Sequence, residues 1–167
     1  MKDEKKIIVI GFGNEMKSDI GIGHRIVTDL AANVVFDDIH YKVAVLDSLE
    51  ILEFIDGYTV AVFIDGIHTS KGIAGSVYLY TPQNFKPTLH LTHLHDISFS
   101  AAFEMGQRLG FKLPQVTKII AIEIAQETVF TDSLSQQLSE AYPGIITTIS
   151  NYLETISTYS GLENLRV

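Results

Sequence analysis

Lys6-Ile7-Ile8-Val9-Ile10-Gly11-Phe12-Gly13-Asn14-Glu15-Met16-Lys17-Ser18-Asp19-Ile20-Gly21-Ile22-Gly23 is the stretch whose reading decides the fold. Ile7 to Ile10 are all β-branched with no polar alternation, the pattern of a strand buried on both faces. The run ends in Gly11-Phe12-Gly13-Asn14, a turn where glycine admits a positive φ or a close backbone approach. An amphipathic helix over about 21–32 follows, with Ile22, Ile26, Val27, Leu30 and Ala31 recurring at three and four residues. Strand, glycine turn and helix form the first half of a βαβ unit. Asn14 and Asp19 then fall near the carboxyl edge of a sheet, where open α/β sheets bind ligands. Asp19 also stands where a carboxylate caps the first amides of that helix.

Further along, the pattern repeats. Residues 41–46 read as a second strand ending at Asp47, and 48–55 as a short helix with Ser48 as its cap. Residues 59–64 are another strand buried on both faces, ending at Asp65-Gly66. A strand at 76–80 follows too soon for a helical crossover, so it is expected at an antiparallel edge. A helical pattern runs over 97–109 and is closed by Gly110 to Pro114. Residues 116–124 are the last strand. One helix is expected from Ser133, capped by Asp132 or Ser133, and a separate final helix from about Gly144 to Thr158 after Pro143. The expectation is an α/β protein: one domain over 1–167, with a short lead (1–5) and a tail (159–167). Its sheet is five-stranded and mostly parallel, covered by helices on both faces.

Composition narrows the function classes. Hydrophobic residues make up 46% and charged residues 19%, which fits a packed globular domain and argues against disorder. The net charge is -8, from 12 Lys and Arg against 20 Asp and Glu, so no basic stripe is available for nucleic acid. Cysteine is absent, which removes disulfides, thiol nucleophiles and sulfur-ligated zinc and suits a reducing compartment. Met1 to Lys6 pass straight into the first strand without an apolar leader, and no apolar run approaches about 18 residues. A soluble, cytoplasmic protein with no membrane partner is expected.

Chemistry is expected where Asn14, Asp19, Asp47, Asp65 and His95 converge. Each ends a predicted strand, follows one closely, or opens a helix after a loop. Carboxylates and a neutral imidazole hold a borderline divalent metal such as zinc or nickel, or orient a water for hydrolysis. Asp65 ends an apolar strand, where a carboxylate is costly unless solvated, hydrogen-bonded or ligated. The plain alternative is that it caps the turn at Gly66. Asn14 equally suits an Asx-turn. Of the six histidines, His95 opens a helix beside the edge, whereas His93, His90 and His68 are weaker candidates. His24 and His40 read as ordinary structural histidines. A dinucleotide fingerprint would need a third glycine where Met16 stands, and neither a phosphate loop nor a Gly-x-Ser-x-Gly elbow is present.

The same residues carry a family pattern. Gly11-Phe12-Gly13-Asn14 through Asp19-Ile20-Gly21-Ile22-Gly23 resembles the opening motif of the [NiFe]-hydrogenase maturation endopeptidases: Gly-x-Gly-Asn, about four residues, Asp, an acidic residue, Gly-x-Gly. Phe63-Ile64-Asp65-Gly66 is similar to that family's third-strand aspartate. His95-Asp96-Ile97-Ser98 is similar to the start of its histidine segment, and Ile122-Glu123-Ile124 to its last strand. The resemblance spans roughly 6–155 and implies a three-layer α/β/α sandwich around a twisted sheet. It also implies cleavage of a carboxyl-terminal extension from the nickel-loaded large-subunit precursor.

On this reading Asp65 and His95 contact the precursor's nickel. The family's third contact, an acid, falls on Ile20, which has no lone pair to offer; Asp19 or Glu15 would have to stand in. The expected catalytic set is therefore Asp19, Asp65 and His95, and the expected metal contacts are Asp65, His95, Asp19 and Glu15. No tightly bound cofactor is expected, the nickel belonging to the precursor, with other divalent ions as surrogates. Two other readings stand beside it: a non-catalytic maturation or binding homologue that lacks the acid, and a small nucleotide-binding α/β protein.

Overall fold

Ile7–Phe12 forms strand β1, and every residue in it is buried. The structure, a computed structural model, describes residues 5–14, 18–34, 36–45, 48–84, 99–125, 131–159 and 162–165. After β1 come helix α1 (Ile22–Asn33), strand β2 (Ile39–Ala44), helix α2 (Ser48–Ile55) and strand β3 (Val60–Ile67). Strand β4 (Val77–Tyr80), helix α3 (Phe99–Arg108), strand β5 (Val116–Glu123) and helix α4 (Gln136–Thr158) complete the main elements. Short 3-10 turns lie at Ser18–Gly21 and Leu162–Leu165.

The five strands make one sheet in the order β2-β1-β3-β5-β4. Four run parallel, and β4 pairs antiparallel with β5 at the edge, as the short connection from β3 requires. Alternation along the strands divides the core into two layers. Ile7, Val9, Val62, Ile64, Ile120 and Ile122 face α1 and α4. Ile8, Ile10, Phe12, Phe63, Ile67 and Ala121 face α2 and α3. This is the expected three-layer α/β/α arrangement. A one-residue slip in β1 would exchange its two faces, but because both are apolar the register is fixed by packing against different helices.

Several boundaries differ from expectation for definite reasons. Strand β2 begins at Ile39, because its pairing with β1 starts at Ile39 opposite Ile7. Strand β3 continues through Asp65 and Gly66 to Ile67, since β5 supplies ladder partners as far as Glu123. The two helices expected on either side of Pro143 are one 23-residue helix. Proline removes one intrahelical donor, a local cost. Against it stands a stripe of Leu138, Ile145, Ile149, Leu153 and Ile156, all buried, that continues across the proline in phase. At roughly 1.5–3 kcal/mol per buried aliphatic side chain, that stripe outweighs one lost hydrogen bond.

Helix α4 is fastened at both ends. The Ser135 hydroxyl accepts from the Leu138 N–H, so the cap is Ser135 and not Asp132 or Ser133. At the other end the Lys5 ammonium donates to the carbonyls of Ile156, Ser157 and Tyr159, satisfying acceptors that the helix leaves open. Replacing the cap (S135A) is expected to cost about 1 kcal/mol, read as a lower urea midpoint with an unchanged slope. No helix among the described residues is long and apolar enough to cross a membrane.

Candidate functional site

Strand order reverses between β1 and β3. The chain leaves β1 toward β2 on one side, and leaves β3 toward β4 and β5 on the other. Flanking connections that diverge in this way open a crevice at the carboxyl ends of the two strands, where α/β sheets place ligands. The last β1–β3 pair is Gly11 with Ile64, so Asp65 stands one residue beyond it and Asn14 lies two residues past the end of β1.

The floor of this crevice needs two glycines. A Cβ on Gly11 would lie 2.1 Å from the Gly23 carbonyl oxygen, and one on Gly23 would lie 2.3 Å from the Ile64 oxygen. The first turn of α1 therefore rests directly on the backbones of β1 and β3. Gly13 completes the turn with φ of 126°, a conformation L side chains rarely adopt.

Asp65 is fully buried, and its Oδ1 accepts the N–H of Gly66 at 2.8 Å. That bond is the one the capping alternative needs, but Gly66 is a strand residue in register with Ile122 and not a turn. Strand alternation puts Asp65 on the α2–α3 face with Phe63 and Ile67. Ile20, at the position of the missing acid, is half-buried and packs into the opposite layer, with α1 and α4.

Asp19 is also fully buried, and its carboxylate has structural partners. Oδ1 accepts the Ser135 N–H at 2.8 Å and Oδ2 accepts the Ala125 N–H at 3.1 Å. The side chain does not cap α1, whose N-cap is Gly21 with no side-chain bond. It ties the turn after β1 to the end of β5 and to the amino terminus of α4, where a negative charge is favourable. The Ser18 N–H donates to the Thr131 carbonyl at 2.7 Å and strengthens the same joint. Substituting D19N replaces one acceptor oxygen by a donor facing a buried N–H. The expected loss is about 1–3 kcal/mol of stability, measured by urea unfolding.

Of the other candidates, Glu15, Asp47, His90, His93 and His95 lie outside the described residues. His68 is exposed on the loop after β3, its Nδ1 3.4 Å from the Ile124 carbonyl. His40 meets the Tyr58 hydroxyl at 2.7 Å, a structural role as expected. Among the described residues no three His, Asp or Glu side chains gather as a metal site. A cavity of about 500 Å³, lined by Thr81, Gln115, Thr117 and Lys118 among others, lies at the opposite, amino end of β5. Burial lowers the pKa of Lys118 there. Its distance along the strand from the crevice separates it from Asp65. One buried acid is not among the candidates that the sequence suggests: Glu123, 1% exposed at the carboxyl end of β5.

Fold and crevice together define a class: a three-layer α/β/α sandwich with a buried carboxylate at the point where strand order reverses. Solved structures superpose on nearly the whole chain. The hydrogenase maturating endopeptidase HybD from E. coli matches with a TM-score of 0.70 and 16% identity, over 90% of this chain and 93% of that one. The [NiFe] hydrogenase maturation protease HybD from Thermococcus kodakarensis matches with a TM-score of 0.67 and 18% identity, over 88% and 98%. A hydrogenase 2 maturation peptidase from Thaumarchaeota archaeon matches with a TM-score of 0.59 and 19% identity, over 90% and 99%. No protein-family model matches the sequence, and no curated protein matches it. At these identities the likeness is one of fold: the chain has the fold of the hydrogenase maturation endopeptidases.

Proposed function

We propose that this chain is an endopeptidase that removes a carboxyl-terminal extension from the nickel-loaded large-subunit precursor of a [NiFe]-hydrogenase. The observation that carries the reading is the position of Asp65. It is a fully buried carboxylate at the β1–β3 reversal point, above the Gly11–Gly23 contact, in a fold shared with enzymes of that name. In this reading Asp65 and His95 contact the precursor's nickel, which is part of the substrate, and the chain holds no cofactor of its own. A water oriented at the site attacks the scissile carbonyl carbon. The C–N bond then breaks, and the leaving amine takes up a proton. Asp19, given its two backbone partners, serves this site by holding the turn after β1 in place. Glu15 stays a candidate third contact on the resemblance alone, and the cytoplasm is the compartment where such a precursor is met.

The test is direct. Incubating the protein with nickel-loaded precursor should shorten the precursor at one site, read by mass, and nickel-free precursor should stay intact. An intact nickel-loaded precursor would count against the reading.

A second reading is favoured by Ile20, which packs into the α1–α4 layer where the family pattern has an acid. Here the chain binds the precursor without cutting it. Stable binding by wild type, with cleavage gained only on I20E, would support this alternative; cleavage by wild type would defeat it.

A further inference from the structure

The carboxyl edge holds a second buried acid that the reading above leaves unused. Glu123 ends β5, in register with Ile67 of β3, and alternation along these strands puts it on the same face as Asp65 and Ala121. A buried carboxylate is costly unless hydrogen bonds replace its water. Glu123 finds them in a single loop. Its Oε1 accepts the Thr69 N–H at 2.7 Å, and its Oε2 accepts the Thr69 hydroxyl at 3.0 Å. The main chain adds to the grip: the Gly75 N–H donates to the Glu123 carbonyl at 2.8 Å, and the Glu123 N–H donates to the Ser76 carbonyl at 2.9 Å. Gly72 closes the contact, because a Cβ there would lie 1.9 Å from the Glu123 carboxyl carbon. At Gly72 the loop backbone lies directly against the carboxylate.

The loop so held begins three residues after Asp65 and lies beside the crevice. Its outward side chains are His68, Ser70, Lys71 and Ile73, the last 77% exposed. A large apolar side chain and a cation displayed by a loop with a buried anchor form a surface suited to an extended peptide. A loop without that anchor would lose its conformation before binding, and ordering it again would weaken affinity.

We propose that Glu123 is a positioning residue: through Thr69 and Gly72 it fixes the 68–73 loop as one wall of the Asp65 site, against which the precursor's scissile segment is held. The inference rests on the endopeptidase reading and deepens it. Glu123 touches no reacting atom, so releasing the loop weakens substrate binding equally in the ground and transition states. That raises KM and leaves kcat in place.

The experiment is steady-state cleavage of nickel-loaded precursor by wild type, T69V, T69S and G72A, with thermal midpoints to confirm folding. T69V deletes the hydroxyl donor and should raise KM about 10-fold with kcat within about twofold. T69S restores the donor and should restore KM, a rescue that a general loss of packing would not give. G72A pushes on the carboxylate from the other side and should reproduce the rise in KM. An active wild type with unchanged KM in T69V and G72A overturns the proposal and leaves the endopeptidase reading intact. So does a fall in kcat at constant KM, or a defect that T69S does not repair. A wild type that neither binds nor cleaves the precursor removes the endopeptidase reading, and this inference with it.

Discussion

Substituting G23A is expected to destabilise the protein by about 3 kcal/mol or more, at the upper end of overpacking costs. The new methyl would meet the Ile64 oxygen at 2.3 Å, the Phe12 oxygen at 2.6 Å and the Phe12 nitrogen at 2.9 Å. All three are backbone atoms of fully buried central strands, so no side chain can rotate away to relieve the clash. Relief requires α1 to lift from β1 and β3, and that would uncover Ile22, Ile26, Val27 and Leu30, each at most 1% exposed. Against a typical stability of about 5–15 kcal/mol, the loss would leave a marginal fold. The check is a urea titration followed by circular dichroism, with G144A as control. Gly144 lies within α4, and a methyl added there would find nothing within 4 Å. That substitution should be neutral or should stabilise by about 0.5–1 kcal/mol. If G23A unfolds at the wild-type urea concentration, the close approach of α1 to the two strands is wrong.

The same contact explains what is legible in the sequence. Two glycines twelve places apart frame the turn, and the apolar run before them has no polar face. Strand, turn, helix and sheet edge follow from local chemistry alone. Asp65 is legible for a related reason, since a carboxylate directly after the apolar run Val60 to Ile64 must have a purpose. Glu123 follows the buried run Ile119 to Ile122 in the same way, and that placement is the signal by which it can be found. What sequence does not provide is the partner. Asp19 looks like the cap of the helix that follows it, yet its hydrogen bonds go to Ala125 and Ser135, 106 and 116 residues away. Only the folded chain brings those amides, one just past β5 and one at the start of α4, to it. Pro143 misleads in the opposite direction: a rule about one residue gives way to five buried positions on the same helix face.

The largest functional effect is expected from D65N. Asparagine retains an oxygen that can accept the Gly66 N–H, so the 2.8 Å bond should survive. What disappears is the negative charge at the reversal point. On the endopeptidase reading that charge contacts the precursor's metal and helps orient the attacking water. Its removal should lower kcat/KM for nickel-loaded precursor by at least about 100-fold, the lower range for deleting one electrostatic or acid–base contribution. The urea midpoint should move far less than for D19N, whose two acceptors serve backbone amides in separate elements. This pairing separates a working carboxylate from a structural one: D19N should cost mainly stability, D65N mainly turnover. Equal losses of stability in both, with cleavage by D65N preserved, would make Asp65 a structural carboxylate like Asp19 and shift the search for the reacting group elsewhere along the edge.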